Sequence, residues 1–171
     1  MDKKQAVGTK RWTPSPPGVF KVNVDGATLE DGRNSSVGAI IRDSCGAVIA
    51  ACCKYLQGHY SVAEVEALAV EVGILLAHNM KISQVIIESN AVSTVSDISA
   101  KLVDGSLGHL YQGILAVLNS FSSWKIIHLK REYNKVAHEL AHIARVNEAS
   151  QVWARDYPSV LLELVQADCT G

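Results

Sequence analysis

Alternation of apolar and polar positions, and the places where it breaks, divide this chain into elements. In "VFKVNVDGA", Phe20, Val22 and Val24 fall on one face and Lys21, Asn23 and Asp25 on the other, the period of two expected of a β-strand. "EDGRNSS" interrupts with turn formers, "VGAIIRD" resumes as a second strand, and "SCGA" makes a tight turn into a third, "VIAACCKYLQ". Such short connections predict an antiparallel meander. At Ser61 the period changes: from Val62 to His78 apolar residues recur at helical spacing, with Ser61 as N-cap. "QVIIES" is a short continuous apolar run, suited to a buried strand flanked by helices. Helices are expected near 91–100 and 108–120, with a loop through Asp104 and Gly105 between them. "WKIIHLK" is a fifth strand, and "NKVAHELAHIARV" a helix capped by Asn134.

The order βββ-α-β-α-α-β-α predicts an α/β fold. Its five-stranded mixed sheet combines the three-strand meander with two parallel strands, and helices flank it. Residues 1–18, polar and then Pro-rich, are expected to form a flexible leader with a rigid extended approach to the domain. Residues 19–147 form the domain, and 148–171 a C-terminal appendage that packs Trp153. No linker splits the chain, which is long enough for one real core.

Charge and cysteine usage narrow the functions open to such a domain. A net charge of −1 gives no global attraction to nucleic acid or anionic membrane, so either would need a local basic patch. Cys45, Cys52, Cys53 and Cys169 contain no C-x-x-C pair and read as small hydrophobes in a reducing compartment. "MDKKQAVGTKRW" has no apolar signal core, and no segment suits a membrane span. The expectation is an intracellular monomer of nucleus or cytoplasm, not secreted and not in a membrane.

Three polar strand and helix positions converge in this fold, where sites gather at strand ends. Asp25 closes the first strand and precedes Gly26; the same tripeptide also serves as an ordinary strand-ending turn. Glu66 lies in an apolar helical stripe with Val62, Ala63, Ala69 and Val70. A carboxylate so placed either has a cation or a function, or sits at the stripe's edge and reaches water. Asn90 ends "IIESN", as a turn residue or as a third polar group aimed at the same region.

Ordered motifs from Trp12 to Pro158 resemble the ribonuclease H domain. These are W-x-P-x-P-P-G-x-x-K-x-N-V-D-G-A, G-A-I-I-R-D-x-x-G, E-A-L-A, E-S-N and R-x-x-N-x-x-A-H-x-L-A. More narrowly, they are similar to the ribonuclease H-like domain of plant non-long-terminal-repeat retroelements. The resemblance implies a two-metal endonuclease that cuts the RNA strand of an RNA–DNA hybrid, with two Mg²⁺ ions roughly 4 Å apart held by four acids. Asp25 matches the first acid and Glu66 the second, but Asn90 stands at the third and His138 at the fourth. Asn90 keeps a carbonyl oxygen without charge; His138 offers nitrogen, which suits Mn²⁺ or Zn²⁺ better than Mg²⁺. Asp25, Glu66 and Asn90 are therefore the expected ligands of Mg²⁺ or Mn²⁺, weakly bound, and Asp25, Glu66, Asn90 and His138 the catalytic positions. Glu88 and Glu64 fall outside the matching positions. Hybrid cleavage is expected to be impaired; the alternative is a non-catalytic nucleic-acid-binding or protein-interaction domain on the same fold.

A basic group beside this site comprises Lys125, His128, Lys130, Arg131 and Lys135. Lys125, Lys130, Arg131, Asn134 and Lys135 are the expected contacts to RNA–DNA hybrid or other nucleic acid, with weak and salt-sensitive binding. "HELAH" also matches the zinc-protease pattern H-E-x-x-H. Arg145 stands where the extended motif needs Gly, and Glu148, Asp156 and Glu163 are only nominal third ligands, so the match reads as coincidence.

Overall fold

A computed structural model describes residues 11–29 and 31–170. The elements are β1 (Phe20–Ala27), β2 (Ser35–Arg42), β3 (Val48–Leu56), α1 (Val62–Asn79), β4 (Gln84–Ser89), α2 (Val92–Ser99), α3 (Gly108–Leu118), β5 (Ser123–His128), α4 (Lys135–Asn147), β6 (Gln151–Trp153) and α5 (Ser159–Thr170). They form one sheet in the order β5-β4-β1-β2-β3-β6. The meander β1-β2-β3 is antiparallel, while β4 joins β1 and β5 joins β4 in parallel. This is the mixed sheet the pattern predicts, with one addition. A sixth strand, β6, pairs antiparallel with β3 through Ala51↔Trp153, in the segment expected to be an appendage. Three residues are too short to show a period, and their burial is set by the neighbouring strand.

The two sheet faces bury different chemistry. On one, Val22, Val24, Ala39, Ile41, Val85 and Ile87 meet α1, α2 and α3 in an all-apolar core. On the other, Ile40, Ala51 and Cys53 pack on Val136, Leu140 and Ala144 of α4 and Leu161 of α5. The polar half of the β1 alternation lies on this second face and is also buried: Lys21, Asn23 and Asp25 are all under a twentieth exposed. Close approach of α4 depends on Gly38, where an added Cβ would stand 2.4 Å from the Ala137 carbonyl oxygen and 2.6 Å from Leu140 Cβ.

At its start α1 closes a capping box. Glu64 N–H donates to Ser61 Oγ and Ser61 N–H to Glu64 Oε1, both at 3.1 Å. Glu64 is thereby committed to the helix end. Trp12, within the expected flexible leader, is 2% exposed and donates from Nε1 to Asn23 Oδ1 at 3.0 Å. Residues 1–10 of that leader lie outside the described residues. Among the described residues no helix is long and apolar enough to cross a membrane.

Candidate active site

Parallel pairing of β1 with β4 sets Asp25 and Asn90 at adjacent strand ends. Gly26 allows α1 to approach them: a Cβ there would lie 2.8 Å from Val65 Cγ1 and 2.9 Å from the Val65 carbonyl oxygen. That proximity carries the next residue, Glu66, to Asp25. From the other face α4 brings His138, whose Nδ1 lies 2.9 Å from Asp25 Oδ2; with the proton on Nδ1, the ring donates to the carboxylate. Asp25, Glu66, Asn90 and His138 thus share one cavity of about 330 Å³, and Thr28, Arg131 and Arg145 also line it.

Burial dominates the electrostatics. It pushes the Asp25 carboxyl above the usual range, against the pull of His138, Arg131 and the Gly26 amide. Glu66 is pushed up to about 8 by burial first and by the neighbouring Asp25 charge second. Glu66 Oε2 is buried without a hydrogen-bond partner. A buried carboxylate oxygen with a free lone pair, beside a second carboxylate, fits a hard cation.

Asp25 and Glu66 are the two carboxylates that line the cavity. No group of three or more His, Cys, Asp or Glu side chains among the described residues is placed to hold a metal. Asn90 Oδ1 already accepts from Asn134 Nδ2 at 3.1 Å, and His138 turns to Asp25. Glu88 cannot step in: it is buried on the polar face, 3.6 Å from Lys21 Nζ, and accepts from Asn23 Nδ2 at 3.2 Å. The second histidine of "HELAH", His142, is exposed and lies 3.4 Å from Arg145 Nη2, so the two rings take different partners.

Asn134 is the N-cap residue of α4, as the sequence predicts, and the His138 N–H donates to its carbonyl at 3.2 Å. Its side chain makes no cap hydrogen bond at the start of α4. It is 2% exposed, donates to the Val24 carbonyl at 2.9 Å and to Asn90, and accepts from Asn23 Nδ2 at 3.1 Å. Little of its surface reaches solvent. Its side chain ties β1 and the end of β4 to the start of α4.

The basic residues expected to contact nucleic acid line different hollows. Arg131 alone faces the acids; Lys130 is exposed beside it. Lys125 lies on β5 in a separate open groove with Lys101 and Trp124, and Lys135 in a cleft next to α5 with Asp168. Arg145, which in the sequence only breaks the extended zinc-protease motif, lines the cavity as well; its place seven residues after His138, two helical turns along the same face, is the signal for that.

Residues 23–144 match the sequence profile of the reverse transcriptase-like family. No curated protein matches the chain. Among solved structures, ribonuclease H1 of the halophilic archaeon Halobacterium salinarum superposes with a TM-score of 0.70 at 18% identity, covering 77% of this chain and 100% of that one. The N-terminal ribonuclease H domain of a Mycobacterium tuberculosis protein gives 0.70 at 17%, covering 75% and 94%. LC11 ribonuclease H1, solved in complex with an RNA/DNA hybrid, gives 0.69 at 18%, covering 75% and 98%. The fold is therefore that of ribonuclease H.

Proposed function

The chain belongs to the reverse transcriptase-like family, and from that premise we propose that it is a ribonuclease H-type domain that binds RNA–DNA hybrid and cleaves it poorly. The observation that supports this most is Glu66 Oε2, buried and unpartnered beside Asp25. Asp25 and Glu66 would hold a single Mg²⁺ or Mn²⁺ ion weakly, with the Asn90 carbonyl oxygen available only if Asn134 releases it. Such an ion supplies the positive charge that displacement at a phosphodiester needs. Asn90 and His138, in place of two acids, leave the site short of the negative charge that would hold a second ion. The narrower assignment, to the domain type of plant non-long-terminal-repeat retroelements, rests on the W-x-P-x-P-P-G lead and the R-x-x-N-x-x-A-H-x-L-A motif.

The residues themselves orient the site. His138 fixes the rotamer of Asp25 from one side, and the Gly26 amide favours the charged forms of Asp25 and Glu66 from the other. Arg131 and Arg145, on the cavity wall, are placed for the phosphates of a strand laid across its mouth. A second reading, a non-catalytic nucleic-acid-binding or protein-interaction domain, is favoured by the way His138 and Asn134 already occupy Asp25 and Asn90. Incubation with labelled hybrid in Mg²⁺ and in Mn²⁺ separates the two, alongside Asp25→Asn and the double variant Asn90→Asp/His138→Asp. Slow cleavage abolished by Asp25→Asn and accelerated in the double variant is expected. Hybrid binding with no cleavage in any variant would establish the second reading.

A further inference from the structure

Away from this site, two cysteines separated by most of the chain meet at one cavity. Cys45 sits in the turn between β2 and β3, and Cys169 near the end of α5. Both are exposed, and both line a cavity of about 270 Å³ with Trp12, Pro14 and Asp168. A Cβ built on Gly46, the residue next to Cys45, would stand 3.5 Å from Cys169 Sγ. Adjacent Cα atoms are only about 3.8 Å apart, so the Cys45 side chain starts one chain step from a position already touching that sulfur.

Neither cysteine arrives there by drift. The Cys45 N–H and the Ala47 N–H both donate to Asp43 Oδ1 at 2.9 Å, which fixes the turn. Asp168, the residue before Cys169, accepts from Arg42 Nη1 at 2.7 Å. The Arg42 guanidinium in turn lies 3.9 Å over the Trp12 ring, which forms a wall of the same cavity. Cys52 and Cys53 differ: both are buried, and burial pushes the Cys52 thiol up to about 12.

We propose that Cys45 and Cys169 form a reversible disulfide that fastens the end of α5 to the β2–β3 turn. The oxidant is a small-molecule disulfide such as oxidised glutathione. One cysteine thiolate attacks it, forming a mixed disulfide and releasing one glutathione thiolate. The second cysteine thiolate attacks the protein sulfur of that mixed disulfide, forming the Cys45–Cys169 bond and releasing the second glutathione. Two protein thiols lose two electrons, one glutathione disulfide gains them, and the two thiol protons pass to the leaving thiolates. The bond adds a covalent tie to the Arg42–Asp168 ion pair and the buried Leu161 that already dock α5 in the thiol form.

The full chain is incubated with oxidised glutathione, alkylated, digested without reduction and read by mass spectrometry. A linked peptide pair containing Cys45 and Cys169, lighter by two hydrogens than the free pair, is expected, with Cys52 and Cys53 unlinked. Separate glutathione adducts persisting on Cys45 and Cys169, or disulfide-linked dimers, would overturn the proposal. Cys45→Ser should leave a stable glutathione adduct on Cys169, which shows that the partner thiol resolves it. Amide exchange over residues 159–170 is expected to slow about tenfold in the oxidised chain. A bond that forms while those rates stay unchanged would refute the fastening role.

Discussion

Replacing Glu66 by Gln isolates the cost of burying this carboxylate. In the folded chain Glu66 keeps its proton to about pH 8, whereas its ordinary value is 4.5. Between those values the folded state binds more protons than the unfolded state, so stability is greatest below the lower value and falls as pH rises through the upper one. The difference amounts to about 3 kcal/mol at pH 7 and about 1 kcal/mol at pH 5. Gln keeps the shape of the protonated acid and does not titrate. Relative to Glu66→Gln, the natural chain should lose about 2 to 3 kcal/mol between pH 5 and pH 7, or about 4 to 12 °C in Tm for a chain of this size. Thermal unfolding followed by circular dichroism, with chelator present and across this range, measures both proteins; Asp25 titrates in each and largely cancels. Added Mg²⁺ should recover stability near pH 7 in the natural chain alone, because the ion replaces the proton on Glu66. Parallel pH profiles for the two proteins would mean that Glu66 is solvated and would remove the reason for assigning it a cation.

Three further outcomes test the scaffold and the binding surface. Gly38→Ala drives a methyl into the Ala137 carbonyl and Leu140, and urea denaturation should show a loss of about 3 kcal/mol as α4 is lifted from the sheet. Asn134→Ala strands the Val24 carbonyl, Asn23 and Asn90, so a loss of about 2 to 4 kcal/mol is expected in the same assay. Lys130→Ala should weaken hybrid binding without regard to sequence and lower the slope of log affinity against log salt by about 1, as measured by fluorescence anisotropy.

Period and turn chemistry made the strand and helix order legible. β1 through β5 and α1 through α4 follow the predicted segments closely because each has either an apolar period or a continuous apolar run. β6 has neither: Gln151 and Val152 are exposed, and its pairing depends on β3. At the site, Asp25 and Glu66 stand out as acids in apolar settings, and the family motif located Asn90 and His138. The polar face of the sheet was hidden for a physical reason. Lys21, Asn23, Arg42 and Glu88 have the composition of a wet surface, yet they are buried because each satisfies another. Asn23 alone accepts from Trp12 and Arg42 and donates to Glu88 and Asn134. Partners 11 to 111 residues away leave no local trace in the sequence. Asn134 has the signature of an N-cap and holds that position, but the distant partners of its side chain leave no such signature.

The long reach of these bonds dictates when the site can come into existence. Asp25 meets His138 across 113 residues, Asn23 meets Asn134 across 111, and Arg42 meets Asp168 across 126. During synthesis at about 5 to 20 residues per second, β1 and the meander leave the ribosome several seconds before their partners on α4 and α5 are made. Until then Arg42 and Asn23 stay hydrated, and the second sheet face remains open to water or to a chaperone. Closing loops of this length sets a high contact order and a slow final step. The cavity around Asp25 is therefore among the last parts of the molecule to form, and a stalled or shortened chain would display the strands without the site.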